Sequence, residues 1–249
     1  MAILEMQNIS LTYQTRGGET DALKDVSLSV KSGEFIALIG PSGCGKTTVL
    51  SLVAGLIRPT AGRVTVEGKE VVGPSPRVGY MLQRDQLFEW RTIEKNVMLG
   101  LEVQKNVTRE SRAYALGLVE KYGLKDFLKS LPKELSGGMR QRAALIRTLA
   151  FRPEILLLDE PFSALDYQTR LAVCDDVHGI IRAENKTALL VTHDISEAIS
   201  TADRVAVLSA RPARVKNIYG ISLPGTPLQR RENPGFSKWF DIIWKDVSV

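Results

Sequence analysis

The chain has little of what marks a membrane or a secreted protein. No apolar run approaches the roughly 18 residues that a membrane span requires, and residues 1–6 lack the basic segment and long apolar stretch of a secretory signal peptide. The only cysteines, Cys44 and Cys174, cannot build a disulfide framework. Together these absences predict a cytoplasmic protein.

The sequence also lacks long runs of like charge. The 249 residues carry 33 basic and 28 acidic side chains, for a net charge of +5, and the two signs are interspersed. A basic balance can serve nucleic acid or an anionic membrane surface, but this mixing favours an ordinary solvated surface, and we expect no nucleic-acid partner. The length suits one large α/β domain, with or without a subdomain.

One stretch organises the chain. Residues 36–39 are a short apolar run typical of a strand that is buried on both faces, and residues 47–57 have a helical pattern. Between them, Gly40 to Thr47 fit the P-loop pattern G-x-x-x-x-G-K-[ST]. An ordinary glycine-rich turn would not need the strand before it and the helix after it.

The chemistry of a P-loop explains the pattern. Its glycines let successive backbone N–H groups face a polyphosphate, and the helix N-terminus adds its dipole. Lys46 can reach the β- and γ-phosphates, and the Thr47 hydroxyl can bind Mg²⁺. The residues predicted to hold the nucleotide here are Gly40, Pro41, Ser42, Gly43, Cys44, Gly45, Lys46, Thr47 and Thr48. Cys44 lies at a helix N-terminus near Lys46, which favours a thiolate; the alternative is a small space-filling residue.

Further polar residues follow apolar strand patterns. Asp159 and Glu160 end the strand-like run 154–160, and the simplest alternative for such a pair is a helix cap or a solvated loop. Beside a P-loop, Asp159 is predicted to hold Mg²⁺, and Glu160 to face a water next to the γ-phosphate. Gln83 and His193 stand at the ends of two other strands, and ligands of parallel sheets bind at such ends.

A second anion site is predicted at Ser136, Gly137 and Gly138. They precede a helical run over 139–150, so a hydroxyl and glycine N–H groups meet at a helix N-terminus. Taken alone, Ser136 could be a plain N-cap.

The patterns along the chain predict an α/β fold. Residues 3–13 and 26–30 alternate as half-buried antiparallel strands, with a loop at 16–19, and form an N-terminal antiparallel β subdomain. Residues 84–150 are predicted to be an inserted helical subdomain. Parallel strands resume at 154–160, 187–193 and 204–208. We therefore expect a single domain over 1–249, with a P-loop NTPase core of mostly parallel sheet from 1–83 and 151–215 and a tail at 216–249.

With these motifs, residues 3 to about 215 resemble the ATP-binding subunit of ABC transporters. The resemblance assigns Walker A to 40–47, the Q-loop glutamine to Gln83, with a role at the metal and in catalysis, the signature to 135–141 and Walker B to 155–160. It further assigns a D-loop to 163–166, which ends at Asp166 beside the nucleotide. His193 corresponds to the switch histidine, and Tyr13 to the aromatic residue that stacks on adenine. Packing in the core is the alternative for Tyr13.

The resemblance also implies partners. It implies a head-to-tail dimer in which ATP on one P-loop is covered by Ser136, Gly137 and Gly138 of the second copy. Glu160 would be the general base or would orient the attacking water, and His193 would contact the γ-phosphate. A transmembrane permease, an extracytoplasmic solute-binding protein and a peripheral place on the cytoplasmic face of the membrane are implied as well.

A narrower resemblance concerns the transported solute. Residues 73–76, 88–92 and 208–214 look like the importer branch for nitrate, sulfonates and taurine, which also includes importers of pyrimidine-type vitamin precursors. Glu89 departs from it, since proline is common there. Other classes fit less well: a DNA-acting ABC ATPase would carry long coiled coils or zinc modules, and Asn185 to Ala188 do not complete the guanine motif of a GTPase.

The apolar residues after Gln83 have two interpretations. Leu87, Phe88 and Trp90 could pack the core of the helical segment. Alternatively, they line a groove that receives a short permease helix, with Trp90 as an aromatic anchor.

Overall fold

The computed structural model describes residues 2–15 and 18–248. The strands are β1 (Ala2–Thr15), β2 (Gly18–Lys31), β3 (Phe35–Ile39), β4 (Ala61–Val66), β5 (Lys69–Glu70), β6 (Val78–Met81), β7 (Ile155–Asp159), β8 (Thr187–Val191), β9 (Arg204–Leu208) and β10 (Val215–Gly220). The helices are α1 (Lys46–Val53), α2 (Ile93–Val103), α3 (Arg109–Lys121), α4 (Gly137–Leu149), α5 (Tyr167–Ala183), α6 (Ile195–Thr201), α7 (Pro227–Glu232) and α8 (Phe236–Val247). No helix in these described ranges is long and apolar enough to cross a bilayer.

A six-stranded sheet in the order β10-β9-β3-β8-β7-β6 forms the centre of the molecule. Strands β9, β3, β8, β7 and β6 are parallel, and β10 runs antiparallel to β9. The strand that leads into the P-loop, β3, therefore lies between β8 and β9. The mostly parallel sheet predicted from the sequence is confirmed.

Apolar layers cover both faces of this sheet, which is why its strands are continuous apolar runs. In β3, Phe35, Ala37 and Ile39 point into a core shared with the helices α2 to α6. Ile36 and Leu38 point into a second core with α1 and the N-terminal strands.

The N-terminal strands form a separate antiparallel sheet in the order β2-β1-β4-β5, as predicted. Its strands are longer than the sequence pattern indicated. Gly18 and Glu19 belong to β2 and pair with Thr15 and Gln14, so the loop predicted there is wrong at these two positions. Residues 16 and 17 lie outside the described residues.

Two element ends also differ from the prediction. Helix α1 ends at Val53 rather than at Ile57, because Gly55 adopts φ +72° and a Cβ there would lie 2.3 Å from backbone atoms of Gly73. That left-handed turn closes the helix as a glycine after a helix commonly does. Strand β6 ends at Met81, so Gln83 lies two residues beyond the sheet.

The segment 84–150 contains α2, α3 and α4, and two 3₁₀ turns, Lys125–Phe127 and Pro132–Glu134, lie between α3 and α4. Glu184, at the end of α5, connects this segment to the rest of the fold. Its carboxylate accepts hydrogen bonds from Lys121 Nζ at 2.7 Å and from the hydroxyls of Tyr122 and Tyr114 at 2.6 and 3.3 Å. The domain limits proposed from the sequence stay a prediction.

Candidate functional site

A cleft of about 620 Å³ opens at the carboxyl ends of β3, β7 and β8. This is the edge at which parallel sheets bind ligands. The residues that line it are Ser42, Gly43, Gly45, Lys46, Thr47, Thr48, Glu160, His193 and Arg211. Residues predicted from three separate parts of the sequence thus meet at one cleft.

The backbone of the loop needs its glycines. A Cβ at Gly40 would lie 2.8 Å from the carbonyl oxygen of Leu208, the last residue of β9, and one at Gly45 would lie 2.9 Å from Leu23 Cδ2. Gly45 also adopts φ +123°, a conformation that glycine reaches without strain. The loop therefore fits closely against β9 and β2 and turns sharply into α1.

Lys46 and Thr47 start α1 and face the cleft. Lys46 Nζ donates hydrogen bonds to the carbonyl oxygens of Gly40 and Pro41 at 2.8 and 2.9 Å. Its ammonium group is thereby held across the concave side of the loop, where an anion would meet both it and the N-terminus of α1.

Asp159 ends β7 directly behind the loop. Its Oδ1 accepts a hydrogen bond from Thr47 Oγ1 at 3.2 Å, and its Oδ2 accepts one from the Tyr80 hydroxyl at 3.2 Å. Burial raises the pKa of Asp159, against the lowering effect of these two hydrogen bonds. A carboxylate and a hydroxyl side by side are hard oxygen donors that suit Mg²⁺, which usually takes one or two carboxylates together with substrate phosphates. Tyr80 was not found from the sequence, because its place beside Asp159 follows from the pairing of β6 with β7.

Glu160 turns away from the strand into the cleft. Its φ of +44° is unusual for a residue with a side chain, and its N–H bond to the Val191 carbonyl at 2.8 Å holds it there. Its Oε2 lies 3.2 Å from His193 Nδ1 and accepts a hydrogen bond from Gln83 Nε2 at 3.4 Å. The three side chains predicted to be catalytic therefore form one group at this side of the cleft.

Cys44 is buried beneath the loop. Its side chain is only 1% exposed, and burial raises the pKa of the thiol although Lys46 and Arg211 both act to lower it. Of the two interpretations left open by the sequence, burial favours the small space-filling residue under the loop over the thiolate. Sequence proximity to a lysine gave no information about this burial.

Two residues border the loop from other elements. Tyr13 on β1 is 40% exposed, so it is not a core residue, and its hydroxyl lies 3.3 Å from Thr48 Oγ1. Arg211, from the loop between β9 and β10, donates from Nη2 to the carbonyl oxygen of Gly43 at 2.7 Å. The sequence analysis did not single out Arg211 as a site residue, since nothing local to it indicates that β9 lies beside β3.

The remaining predicted residues lie away from this cleft within one chain. Ser136 is the N-cap of α4, where its hydroxyl accepts a hydrogen bond from Met139 N at 3.3 Å. Asp166 is the N-cap of α5. Ser136, Gly137 and Asp166 are exposed, whereas Gly138 is buried and a Cβ there would lie 2.7 Å from Val173. None of the four lines the cleft, so they could act on a nucleotide only in a second copy.

Two arginines of α4 bind the segment after Gln83. Arg147 donates hydrogen bonds to the carbonyl oxygens of Gln86 and Asp85 at 2.6 and 2.7 Å. Arg140 binds Asp85 through Nε at 2.9 Å and Nη2 at 3.2 Å, and also binds Glu89 through Nη2 at 2.6 Å. Burial alone would raise the pKa of Asp85, but hydrogen bonds from Arg140 and from Leu87 N hold it below its ordinary value. Arg140 lies four residues after Ser136, so the Gln83 segment and the start of α4 are joined.

The three apolar residues of this segment separate into two groups. Leu87 is buried at 5% exposure, whereas Trp90 is 76% exposed. Phe88 is half-buried and stacks on Trp90 with ring centroids 4.9 Å apart. Packing in the core therefore accounts for Leu87 and leaves a stacked aromatic pair at the surface.

Comparison with known proteins agrees with this architecture. The family model described as ABC transporter matches residues 23–163. An uncharacterized ABC transporter ATP-binding protein of Bacillus subtilis, YtlC, is 47% identical over 100% of this chain and 96% of its own length. The nitrate import ATP-binding protein NrtD of Synechocystis is 39% identical over 96% of this chain and 93% of its own length.

A solved structure is similar as well. The dimeric post-hydrolysis state of the ATP-binding cassette MJ0796, bound to ADP and Pi, matches with a TM-score of 0.72 at 29% identity and covers 88% of this chain and 98% of its own. The chain belongs to the ABC transporter family and is an ATP-binding, ATP-hydrolysing subunit of that family.

Proposed function

We propose that the chain is the motor subunit of an ABC importer that drives uptake of a small, anionic solute of the nitrate, sulfonate or taurine type. The observation that carries the proposal is the single cleft in which Lys46, Thr47, Glu160 and His193 meet. The relatives named as nitrate, aliphatic sulfonate and taurine import proteins, at 39%, 44% and 39% identity, support the direction of transport and the solute class.

The P-loop residues 40–48 bind the ATP phosphates through backbone N–H groups and Lys46, and Tyr13 stacks on the adenine. Thr47, Asp159 and Gln83 would hold Mg²⁺, which supplies charge neutralisation at the phosphate oxygens. The contact between Thr47 and Asp159 at 3.2 Å supports this set. Gln83 donates a hydrogen bond to Glu160 at 3.4 Å, which places its amide beside the base.

Glu160 orients the attacking water and accepts its proton. Its carboxylate lines the cleft, and its neighbours Gln83 and His193 fix the orientation of that carboxylate. His193 is 60% exposed in its side chain and reaches the space of the terminal phosphate. General-base catalysis of this kind contributes about 100-fold or more to a rate.

The complete site needs two copies of the chain. Ser136, Gly137 and Gly138 form an exposed helix start that has no nucleotide to contact in its own chain, and Asp166 is exposed at another helix start. In a head-to-tail dimer, each would complete the P-loop site of the other copy. The dimeric state of the similar cassette supports this arrangement.

The subunit binds a permease from the cytoplasmic face of the membrane, and through it works with an extracytoplasmic solute-binding protein. The stacked pair of half-buried Phe88 and exposed Trp90 is the proposed permease contact. Because Arg140 joins this segment to α4, a contact there bears directly on the start of the helix that covers the second nucleotide.

The test uses the dimer that forms when hydrolysis is blocked. Glu160→Gln keeps the side-chain shape and removes the proton acceptor, so we expect ATP binding to persist, turnover to fall at least about 100-fold and a dimer to accumulate with ATP in size-exclusion chromatography. Adding Ser136→Arg should abolish that dimer while the monomer still binds ATP.

Ser237→Arg, an exposed serine in the first turn of α8, is the matched control and should leave the dimer intact. Near-normal hydrolysis by the Glu160→Gln variant would contradict the assigned base. Loss of ATP binding by the Ser136→Arg monomer would contradict the assignment of Ser136 to the second copy's nucleotide.

A further inference from the structure

Arg211 is a cation of the cleft that belongs to none of the nucleotide-binding motifs. It lies in the loop at 209–214, between β9 and β10, and lines the same cleft as Lys46, Glu160 and His193. One of its donors binds the carbonyl oxygen of Gly43 at 2.7 Å. A guanidinium has five N–H donors, so most of its hydrogen-bonding capacity is not used by that contact.

Carboxylates do not neutralise this arginine. Within residues 2–15 and 18–248, its guanidinium donates a hydrogen bond to Gly43 and forms no ion pair. By contrast, Arg140 and Arg182 form ion pairs with Asp85 and Asp203. An unpaired cation beside a phosphate-type loop is suited to an anion that enters the cleft.

The loop that carries Arg211 is held firmly. Ser209 N donates to the Arg214 carbonyl at 2.9 Å, and Arg214 N donates to Ser209 Oγ at 3.0 Å. Ala213 is fully buried and exchanges backbone hydrogen bonds with β2, to the Ala22 carbonyl and from Lys24 N, both at 2.9 Å. Arg211 therefore starts from a fixed backbone, which lowers the entropy cost of binding a ligand with it.

We propose that Arg211 is a second cationic ligand of the nucleotide's polyphosphate, supplied by the β9–β10 loop and acting beside Lys46. This rests on the proposed nucleotide site. Lys46 approaches from the start of α1 and Arg211 from the side of the loop at Gly43, so the two cations contact the chain of phosphates at different places. Arginine suits this task because its planar fork binds phosphate oxygens in pairs.

The experiment compares nucleotides that differ only in phosphate number. Dissociation constants for ATP, ADP and AMP are measured by isothermal titration calorimetry on the full chain, with Mg²⁺, for the wild type, Arg211→Gln, Arg211→Lys and Arg214→Gln. Arg214 is an exposed arginine of the same loop that does not line the cleft, so Arg214→Gln is the control for charge and loop position. Melting temperatures are measured in parallel.

For Arg211→Gln we expect binding of ATP and ADP to weaken about tenfold or more, as loss of a charged hydrogen bond does, and binding of AMP to change much less. The dissociation constants of Arg211→Lys for ATP and ADP should lie between those of Arg211→Gln and the wild type. Those of Arg214→Gln should stay within about twofold of the wild-type values, because an exposed charge outside the site contributes little. Unchanged ATP affinity in Arg211→Gln would overturn the proposal.

An equal loss for all three nucleotides would also overturn it, because it would assign Arg211 only to holding the Gly43 carbonyl. If the wild type binds no ATP, the proposed function itself fails. That result is distinct from a wild type that binds ATP and is indifferent to Arg211.

Discussion

The buried histidine gives a quantitative prediction about stability and pH. His178 lies on α5, where its ring packs against Phe35 with centroids 5.5 Å apart and its Nε2 accepts a hydrogen bond from Arg182 Nε at 3.3 Å. Burial, followed by the positive charges of Arg182 on its own helix and Arg230 on α7, lowers its pKa from 6.5 to about 4; Asp203 and Asp175 only partly oppose this. The folded protein therefore keeps His178 neutral.

The size of the effect follows from the difference between the folded and unfolded pKa values. Between pH 6.5 and about pH 4, the unfolded chain binds more protons at His178 than the folded chain does. The free energy of unfolding therefore falls as the pH falls through this range. The contribution is fully present above pH 6.5. At 1.36 kcal/mol per pKa unit, about 2 kcal/mol is lost by pH 5 and about 3 kcal/mol below pH 4.

Urea unfolding of the wild type and of His178→Gln, followed by tryptophan fluorescence at pH 7.5 and pH 5, measures this difference. Glutamine can accept the hydrogen bond from Arg182 but cannot be protonated, so the variant lacks this part of the pH dependence. It should be less stable than the wild type at pH 7.5 because its packing on Phe35 is poorer. The gap should close by about 2 kcal/mol at pH 5.

His193→Gln is the companion variant. The chain has two histidines, so this change leaves His178 as the one histidine, and its ring signals in NMR spectra can be followed directly. Between pH 7.5 and pH 5 they should move by no more than about a tenth of the full protonation shift, because a pKa of about 4 leaves about a tenth of the ring protonated at pH 5. A stability gap that is the same at both pH values, or a His178 ring that titrates in that range, would refute the reasoning.

Two other predictions concern Cys44 and Trp90. Since Cys44 is buried and its pKa is raised by burial, its labelling by a thiol reagent in the native state at pH 7.5 should be at least about tenfold slower than in urea; equal rates would contradict this. Trp90→Ser should change the melting temperature by no more than about 2 °C, as exposed positions do, yet abolish copurification with the permease. The control Trp244→Ser, at another exposed tryptophan, should still copurify with the permease. A large fall in melting temperature in Trp90→Ser alone would favour the core interpretation.

Much of the site could be predicted because most of its residues lie in short contiguous segments of the sequence. The P-loop, Asp159, Glu160 and His193 all follow strand patterns, and parallel strands end at a common edge. The order of elements along the chain was therefore enough to expect them together, and the structure brings Lys46, Thr47, Glu160 and His193 to one cleft.

The parts that could not be predicted depend on which strands are neighbours. Tyr80 reaches Asp159 because β6 pairs with β7, and Arg211 reaches Gly43 because β9 pairs with β3. Neither pairing is visible in local periodicity. Burial was the other unknown: the same loop that gives Cys44 a cationic neighbour also closes over its sulfur.

By binding both Asp85 and Glu89, Arg140 connects the segment after Gln83 to the start of α4. Asp85 follows Gln83 by two residues, Glu89 precedes Trp90, and Arg140 is one helical turn after Ser136. One turn of an α-helix advances about 5.4 Å and is stiff on that scale. A displacement of Trp90 is therefore transmitted through the Arg140 guanidinium to Ser136 and, through Asp85, toward Gln83. Arg147, further along α4, strengthens this connection through its hydrogen bonds to the Asp85 and Gln86 carbonyl oxygens. In the proposed complex, a movement at the permease contact would therefore shift Ser136 and Gln83 together, and a shift of Ser136 would in turn move that contact.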